Sequence, residues 1–136
     1  MLVLILIVLI CMLLHVLCLR GRRNHPGMAA FRGKYYAHRG LHDETKPENS
    51  MAAFAAALEK GYGIEFDLHL LKDGTLAVMH DSDLKRTTGQ EGTMEDLTAR
   101  DLTNYHLGGT DQVIPTFRQV LDLFQGEAPL IIELKT

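Results

Sequence analysis

Ile64-Glu65-Phe66-Asp67-Leu68-His69-Leu70, followed by Leu71 and Lys72-Asp73-Gly74, is the stretch that decides the fold. Apolar and polar residues alternate along it, the pattern of a strand whose two faces meet different surroundings. Lys72-Asp73-Gly74 reads as a turn and residues 75–80 as a second strand. Upstream, Tyr35-Tyr36-Ala37-His38 is a short strand ending at Arg39-Gly40. Asn49 or Ser50 then caps a helix over 51–58 that Gly61 stops. Gly61 to Gly63 is a helix stop and strand entry, not half of a nucleotide-binding loop. Downstream, residues 81–113 are polar and turn-rich, with short helices expected near Met94 to Leu97 and near Ala99 to Leu102. Thr116 caps a helix carrying Phe117, Val120, Leu121 and Phe124 on one face, stopped at Gly126. Pro129 opens a last strand, Leu130 to Lys135. Strands separated mainly by helical patterns predict a parallel sheet, because a parallel return needs a crossover. The class is α/β, and chemistry in such folds gathers at the carboxyl ends of the strands.

The averages of the chain conceal two different halves. Its 136 residues are 46% apolar and carry 14 Lys+Arg against 17 Asp+Glu, a formal charge of −3. All but His15 and Arg20 of the first twenty residues are apolar. Six basic residues lie at or before Arg39, whereas the first acid is Asp43, so the charge is +6 up to residue 39 and −9 beyond it. An acidic body repels phosphate backbones, which excludes a nucleic-acid-binding domain.

Residues 1–20 are expected to form a transmembrane anchor, since the apolar run spans about 28 Å as a helix against a hydrocarbon layer of roughly 30 Å. A cleaved signal peptide is the alternative. It is disfavoured because no Lys or Arg precedes the run and no small-x-small site follows it. Arg20, Arg22 and Arg23 place the body in the cytoplasm by the positive-inside rule. Residues 21–34 read as a basic juxtamembrane linker and 35–136 as the catalytic part. Cys11 and Cys18 lie within the apolar run, and with none in the body there is no disulfide framework or cysteine nucleophile.

Alternation puts Glu65 and Asp67 on one face of their strand, and Glu133 and Lys135 on one face of theirs. Like charges on a buried face need a cation or base to neutralise them. A salt-bridged edge pair is the plainer alternative. Three carboxylates from two strands suit a hard divalent cation, Mg²⁺ or Ca²⁺; zinc is disfavoured without cysteines or a His-x-x-x-His pair. His38 and His80 stand at strand ends beside this face, where acid/base chemistry near neutral pH would need them. Arg39 can clamp a phosphate bidentately and Lys135 can add a point charge. His69 continues the Glu65/Asp67 face and is a weaker candidate. His15, His25, His42 and His106 have no such setting.

In order, the chain carries His38-Arg39-Gly40, Pro47-Glu48-Asn49-Ser50 with Ala53-Phe54, Glu65-x-Asp67, Lys72-Asp73-Gly74, His80-Asp81, Leu84-x-Arg86-x-Thr88, Ile114-Pro115 and Glu133-x-Lys135. This ordered set resembles the glycerophosphodiester phosphodiesterase family, relatives of phosphatidylinositol-specific phospholipase C. The resemblance implies a TIM (β/α)8 barrel and a metal-dependent hydrolase that cleaves glycerophosphodiesters to glycerol 3-phosphate and an alcohol. By motif position it implies Glu65, Asp67 and Glu133 as metal ligands, His38 and His80 as the acid/base pair, and Arg39 and Lys135 as phosphate contacts. Glu48 and Asn49 support the His38 turn; a helix cap and nothing more is the competing reading. Residues 81–113 match the family's excursion and contribute to the leaving-group pocket. Leu71 stands where the family often has Thr, a change of turn packing. A barrel typically needs about 250 residues, so the first four or so strand–helix units of a longer enzyme are expected here, with little activity alone. With the anchor, the substrates expected are glycerophosphodiesters or lysophospholipids beside a membrane. A membrane-tethered phosphodiester-binding protein, or an inactive fragment, is the alternative.

Overall fold

A short link and a long one decide how the strands around Ile64 are arranged. The computed structural model describes residues 1–19 and 25–135 and falls into two units, Met1–Arg32 and Gly33–Thr136. In the second unit, β1 (Tyr36–His38), β2 (Gly63–Leu70), β3 (Leu76–Val78) and β4 (Leu130–Leu134) form one sheet. β2 is central: β1 pairs parallel with its first half, β4 runs parallel along its other edge, and β3 pairs antiparallel with its second half.

The antiparallel β3 corrects the expectation of four parallel strands. The connection through Lys72-Asp73-Gly74 is too short for a crossover, which takes a dozen or more residues. Gly74 takes the left-handed backbone (φ 83°) that the tight reversal needs. The parallel set is therefore β1, β2 and β4, a part of the α/β sheet, with β3 filling the edge of β2 where β1 stops.

After helix α1 (Leu2–Leu19) of the first unit, helix α2 (Met51–Glu59) follows β1 and begins where Ser50 Oγ accepts the Ala53 N–H. It presents the buried Phe54 and Ala57 to β2, while the buried Ala53 packs against Gly40. On the sheet side Ile64, Phe66 and Leu68 complete this core, the face of β2 opposite Glu65 and Asp67. The Phe54 and Phe66 ring centroids are 5.7 Å apart. Gly61 stops the helix, and Gly63 enters the strand because a side chain there would meet the Pro129 carbonyl oxygen at 2.6 Å. After a single-turn helix, α3 (Lys85–Thr88), comes α4 (Phe117–Phe124), which opens with a reciprocal cap between Thr116 and Gln119 and adds Val120 and Phe124 to the core.

Residues 81–113 are more than polar turns. Leu84, Met94, Leu97, Leu102 and Leu107 join Leu71, Ala77, Met79 and Ile114 in a second buried cluster. Short 3₁₀ turns at Met94–Asp96 and Leu102–Asn104 carry part of it, the latter displaced from the helix expected near Ala99 to Leu102.

The first unit contains a helix, Leu2–Leu19, whose described side chains are all exposed, and a turn, Pro26–Met28, capped by His25. The helix has 18 described residues. No helix among the described residues is long and apolar enough to cross a membrane. The transmembrane anchor expected over 1–20 is not supported among the described residues, where Leu2–Leu19 is an exposed apolar helix. The basic cluster of Arg20, Arg22 and Arg23 lies outside the described residues, as do Gly21, Asn24 and Thr136.

Candidate active site

Register, not sequence proximity, assembles the acidic group. His38 pairs with Glu65 across β1–β2, and Asp67 pairs with Glu133 across β2–β4. Paired residues in adjacent strands face the same side. One oxygen each of Glu65, Asp67 and Glu133 consequently lies within 4.8 Å of the others. Asp67 is 1% exposed, and burial of its charge is offset by Arg39 Nε at 3.7 Å, Lys135 Nζ at 3.0 Å and the Asn49 amide, whose Nδ2 donates at 3.4 Å. Lys135 also donates to Glu133, which together with Asp67 raises the lysine's pKa.

Three buried acceptors, Glu65 Oε2, Asn49 Oδ1 and Asp67 Oδ1, have no hydrogen-bond partner among the described residues, though Asp67 Oδ1 has the Lys135 ammonium 3.0 Å away. A carboxylate oxygen left so in a low-dielectric site is costly unless a cation faces it. Oxygen donors from three carboxylates are the ligands that hard divalent ions take. The residues present fit such an ion.

The loop after β1 carries the second part of the site. Arg39 and Asn49 both take left-handed backbone conformations, at φ 55° and 57°, which costs non-glycine residues energy. The strain is held by a hydrogen-bonded tie: Arg39 N–H donates to the Glu65 carbonyl at 2.8 Å, and Asn49 N–H to the Arg39 carbonyl at 2.9 Å. Gly40, at φ 85°, packs directly on α2. Glu48 Oε1 accepts from Arg39 Nη1 at 3.1 Å and from Arg86 Nη2 at 2.7 Å. Glu48 and Asn49 thus do more than cap a helix.

His80 arrives by a different route. β3 runs back along β2, and the Met79 N–H bonds the Asp67 carbonyl at 3.2 Å. The antiparallel turn so returns His80 to the level of the carboxylates, on the edge of β2 where β1 ended at His38. His80 Nδ1 is 2.6 Å from Asp81 Oδ1, and Arg86 Nε donates to the other Asp81 oxygen. His38 is 69% exposed at its side chain, with Nε2 3.8 Å from Glu65. His69 does not line the acidic group; it is buried, with Nδ1 2.7 Å from Glu95 and Nε2 3.3 Å from the His80 carbonyl.

Asp81, Arg86 and Glu95 were not picked out by reading the residues alone. The available signals were the His80-Asp81 adjacency and Arg86 within Leu84-x-Arg86-x-Thr88. Nothing local indicates that Arg86 meets Glu48.

Residues 38–136 match the family model described as the glycerophosphoryl diester phosphodiesterase family. The chain belongs to this family. A glycerophosphodiester phosphodiesterase of Bacillus altitudinis is 39% identical over 110 residues, 75% of this chain and 44% of that protein. A lysophospholipase D of Rattus norvegicus is 35% identical over 118 residues, 77% of this chain and 37% of its own length. Among solved structures, a glycerophosphodiester phosphodiesterase from Agrobacterium tumefaciens superposes with a TM-score of 0.69 at 33% identity, covering 76% of this chain and 47% of that one. An Oleispira antarctica phosphodiesterase in complex with sn-glycerol-3-phosphate gives 0.68 at 27% identity, covering 77% and 45%. The chain spans less than half the length of these relatives, and its sheet is the corresponding part of the family's barrel. Every sequence-predicted site residue, from His38 to Lys135, falls inside the matched region.

The charged loop contacts make a pH prediction. The Asp81 carboxyl is held below its ordinary value chiefly by the hydrogen bond from Arg86. Burial pushes Glu48 up, but Arg86 and Arg39 outweigh it and leave its pKa lowered. Depressed carboxyl pKa values contribute stability that is present above the unfolded-state pKa and lost as pH falls through the folded-state one. Arg86→Gln is expected to be less stable than the parent near neutrality, and the difference should close below about pH 4. Urea unfolding at several pH values measures this; a difference that persists undiminished at low pH refutes it.

Proposed function

We propose that residues 35–136 are the catalytic part of a metal-dependent phosphodiesterase that hydrolyses glycerophosphodiesters to glycerol 3-phosphate and an alcohol. The observation that carries this reading is the convergence of Glu65, Asp67 and Glu133 within 4.8 Å, with Arg39 and Lys135 both against Asp67. Mg²⁺ or Ca²⁺ would be held by the three carboxylates and, when bound, supplies the positive charge that acidifies a substrate hydroxyl. Arg39 and Lys135 contact the phosphate oxygens, Arg39 through its planar fork and Lys135 as a point charge. One of His38 and His80 takes the proton from the glycerol hydroxyl as its oxygen attacks phosphorus. The other protonates the departing alcohol oxygen, leaving a cyclic phosphodiester. Water then opens the ring with the two histidines in exchanged roles. Glu48 and Asn49 hold the Arg39 turn and Asp67 in place, and residues 81–113 shape the leaving-group side.

The product bound to the Oleispira antarctica relative supports glycerol 3-phosphate as the retained half. The lysophospholipase D relative supports lysophospholipids as a second substrate group. The exposed apolar helix Leu2–Leu19 supports tethering at a membrane, and the Arg20, Arg22 and Arg23 that follow it in sequence support a cytoplasmic catalytic part. Fractionation with and without residues 1–32 tests that location.

The test of function is release of glycerol 3-phosphate from glycerophosphocholine, with and without a chelator. Release that stops on chelation, and in His38→Gln, is expected; equal release under all three conditions sinks the assignment. A second reading, phosphodiester binding without turnover, is favoured by the share of the relatives that the chain spans, 44% of the Bacillus altitudinis protein. Cation-dependent binding of glycerol 3-phosphate with no release would select it.

A further inference from the structure

We propose that Arg86 is a positioning residue of this site: by bridging Asp81 to Glu48 it holds the His80 ring with its hydrogen on Nδ1 and Nε2 free, in step with Arg39. The inference rests on the assignment of His80 to proton transfer.

The starting point is the 2.6 Å contact between His80 Nδ1 and Asp81 Oδ1. An ionised carboxylate only accepts hydrogen bonds, so Nδ1 carries the hydrogen and, in the neutral ring, Nε2 keeps the lone pair. Neither partner is deeply buried, with side chains 34% and 28% exposed, so water competes for both. Something else must keep Asp81 in place. Arg86 does so by donating Nε to the second Asp81 oxygen while its Nη2 donates to Glu48 Oε1 at 2.7 Å. Arg39 Nη1 donates to that same Glu48 oxygen at 3.1 Å. His80, Asp81, Arg86, Glu48 and Arg39 therefore form one continuous series of polar contacts. It joins the loop after β1 to the loop after β3, two segments that the chain does not otherwise connect locally.

Only a guanidinium can do this. Its planar fork directs separate N–H groups at two carboxylates at once, which an ammonium on a flexible stem does not match. Arg86 is itself carried on a supported turn: the Thr87 hydroxyl donates to Met79 Sδ at 3.2 Å, and Thr88 Oγ1 to the Leu84 carbonyl at 2.8 Å. From the other side, His69 Nε2 meets the His80 carbonyl, backed by Glu95, which in turn accepts from Ser82. Backbone and ring of His80 are thus held from opposite directions. His38 has nothing comparable, since its 3.8 Å approach to Glu65 is too long to fix a tautomer.

The test uses the 136-residue chain with ¹⁵N-labelled histidine, reading ring nitrogens near neutral pH. The parent is expected to show His80 as the Nδ1–H tautomer. Arg86→Gln should lower the ratio of Nδ1–H to Nε2–H by about fivefold or more, the worth of one hydrogen bond. Asp81→Asn should do the same, and Arg86→Lys should restore only part. His106, whose Nδ1 faces the Thr110 carbonyl at 3.0 Å, reports that the surrounding segment is still folded. If Arg86→Gln loses that reference signal, Glu48→Gln removes the far anchor without touching His80 or Asp81 and should shift the ratio in the same direction. A parent already in mixed tautomers, or folded variants with the parent ratio, overturns the proposal. Mg²⁺ or Ca²⁺ titration of the same samples separates the two readings. A cation response at the His38 ring, which stands 3.8 Å from Glu65, with an unmoved His80 ratio removes the role of Arg86 alone. A shifted ratio with no cation response removes the metal-dependent function and leaves the positioning contact standing.

Discussion

Glu65→Gln is expected to abolish divalent-cation binding and, with it, hydrolysis. Gln is nearly isosteric with Glu, so the strand register that pairs position 65 with His38 is kept. What is lost is one of three carboxylates that converge within 4.8 Å, and the one whose buried Oε2 has no hydrogen-bond partner. The remaining pair is already compensated, because Asp67 and Glu133 both meet Lys135 and Asp67 also faces Arg39. Removing Glu65 therefore leaves a group near neutrality with little reason to bind Mg²⁺ or Ca²⁺. Losing an outer partner of a metal site typically costs about 10–100-fold in affinity, and losing a direct ligand should exceed that. If the ion contributes several kcal/mol to the reaction, at about 1.4 kcal/mol per tenfold, the rate should fall by roughly a thousandfold or more. Calorimetric titration with each cation, and glycerol 3-phosphate release, measure the two effects, with circular dichroism as the folding control. Near-parental binding in a folded Glu65→Gln chain would remove the metal assignment.

Gly40→Ala is expected to be the most damaging of the small substitutions around the site. Gly40 sits at φ 85°, and a Cβ there would lie 2.8 Å from Ala53 Cβ, 2.9 Å from Phe54 Cδ1 and 3.0 Å from the Ala53 carbonyl carbon. The left-handed backbone alone costs an alanine about 1–2 kcal/mol, and the overlap with buried parts of α2 adds about 1–3 kcal/mol. Ala53 and Phe54 cannot yield easily, being fully buried. A loss of about 2–5 kcal/mol is a large part of the ~5–15 kcal/mol that holds a domain together. Gly74 supplies the control: its φ of 83° is almost the same, but a Cβ there meets nothing within 4 Å. Gly74→Ala should show only the backbone cost. Urea unfolding of both variants compares them, and equal losses would show that contact with α2 does not matter. The same shift should carry Arg39 away from Glu48 and Asp67, lowering activity beyond the loss of folded protein.

Much of this architecture is legible locally. Alternation along Ile64 to Leu70 gives a strand with Glu65 and Asp67 on one face, since side-chain direction in a strand repeats every two residues. Ser50, Gly61 and Thr116 mark ends because capping and left-handed turns depend on neighbours a few positions away. The direction of β3 is less legible, because residues 75–80 look the same in a parallel or antiparallel strand; the short link carries the decision. The apolar run before Leu19 shows its hydrophobicity in the sequence, and its described part is an exposed helix. The second core beneath residues 81–113 was hidden because Leu84, Met94, Leu97, Leu102 and Leu107 follow no single period.

By itself the sequence determined the family, the strand faces and the identity of the carboxylates, histidines and cations that the proposed chemistry uses. These depend on residue type, order and a repeat of two. Only the tertiary structure decided that His80 is held through Asp81, Arg86 and Glu48 to Arg39, and that His69 turns to Glu95 instead of the acidic group. Contacts across 38 residues, such as Arg86 to Glu48, depend on where separate loops meet in space, which no local pattern encodes.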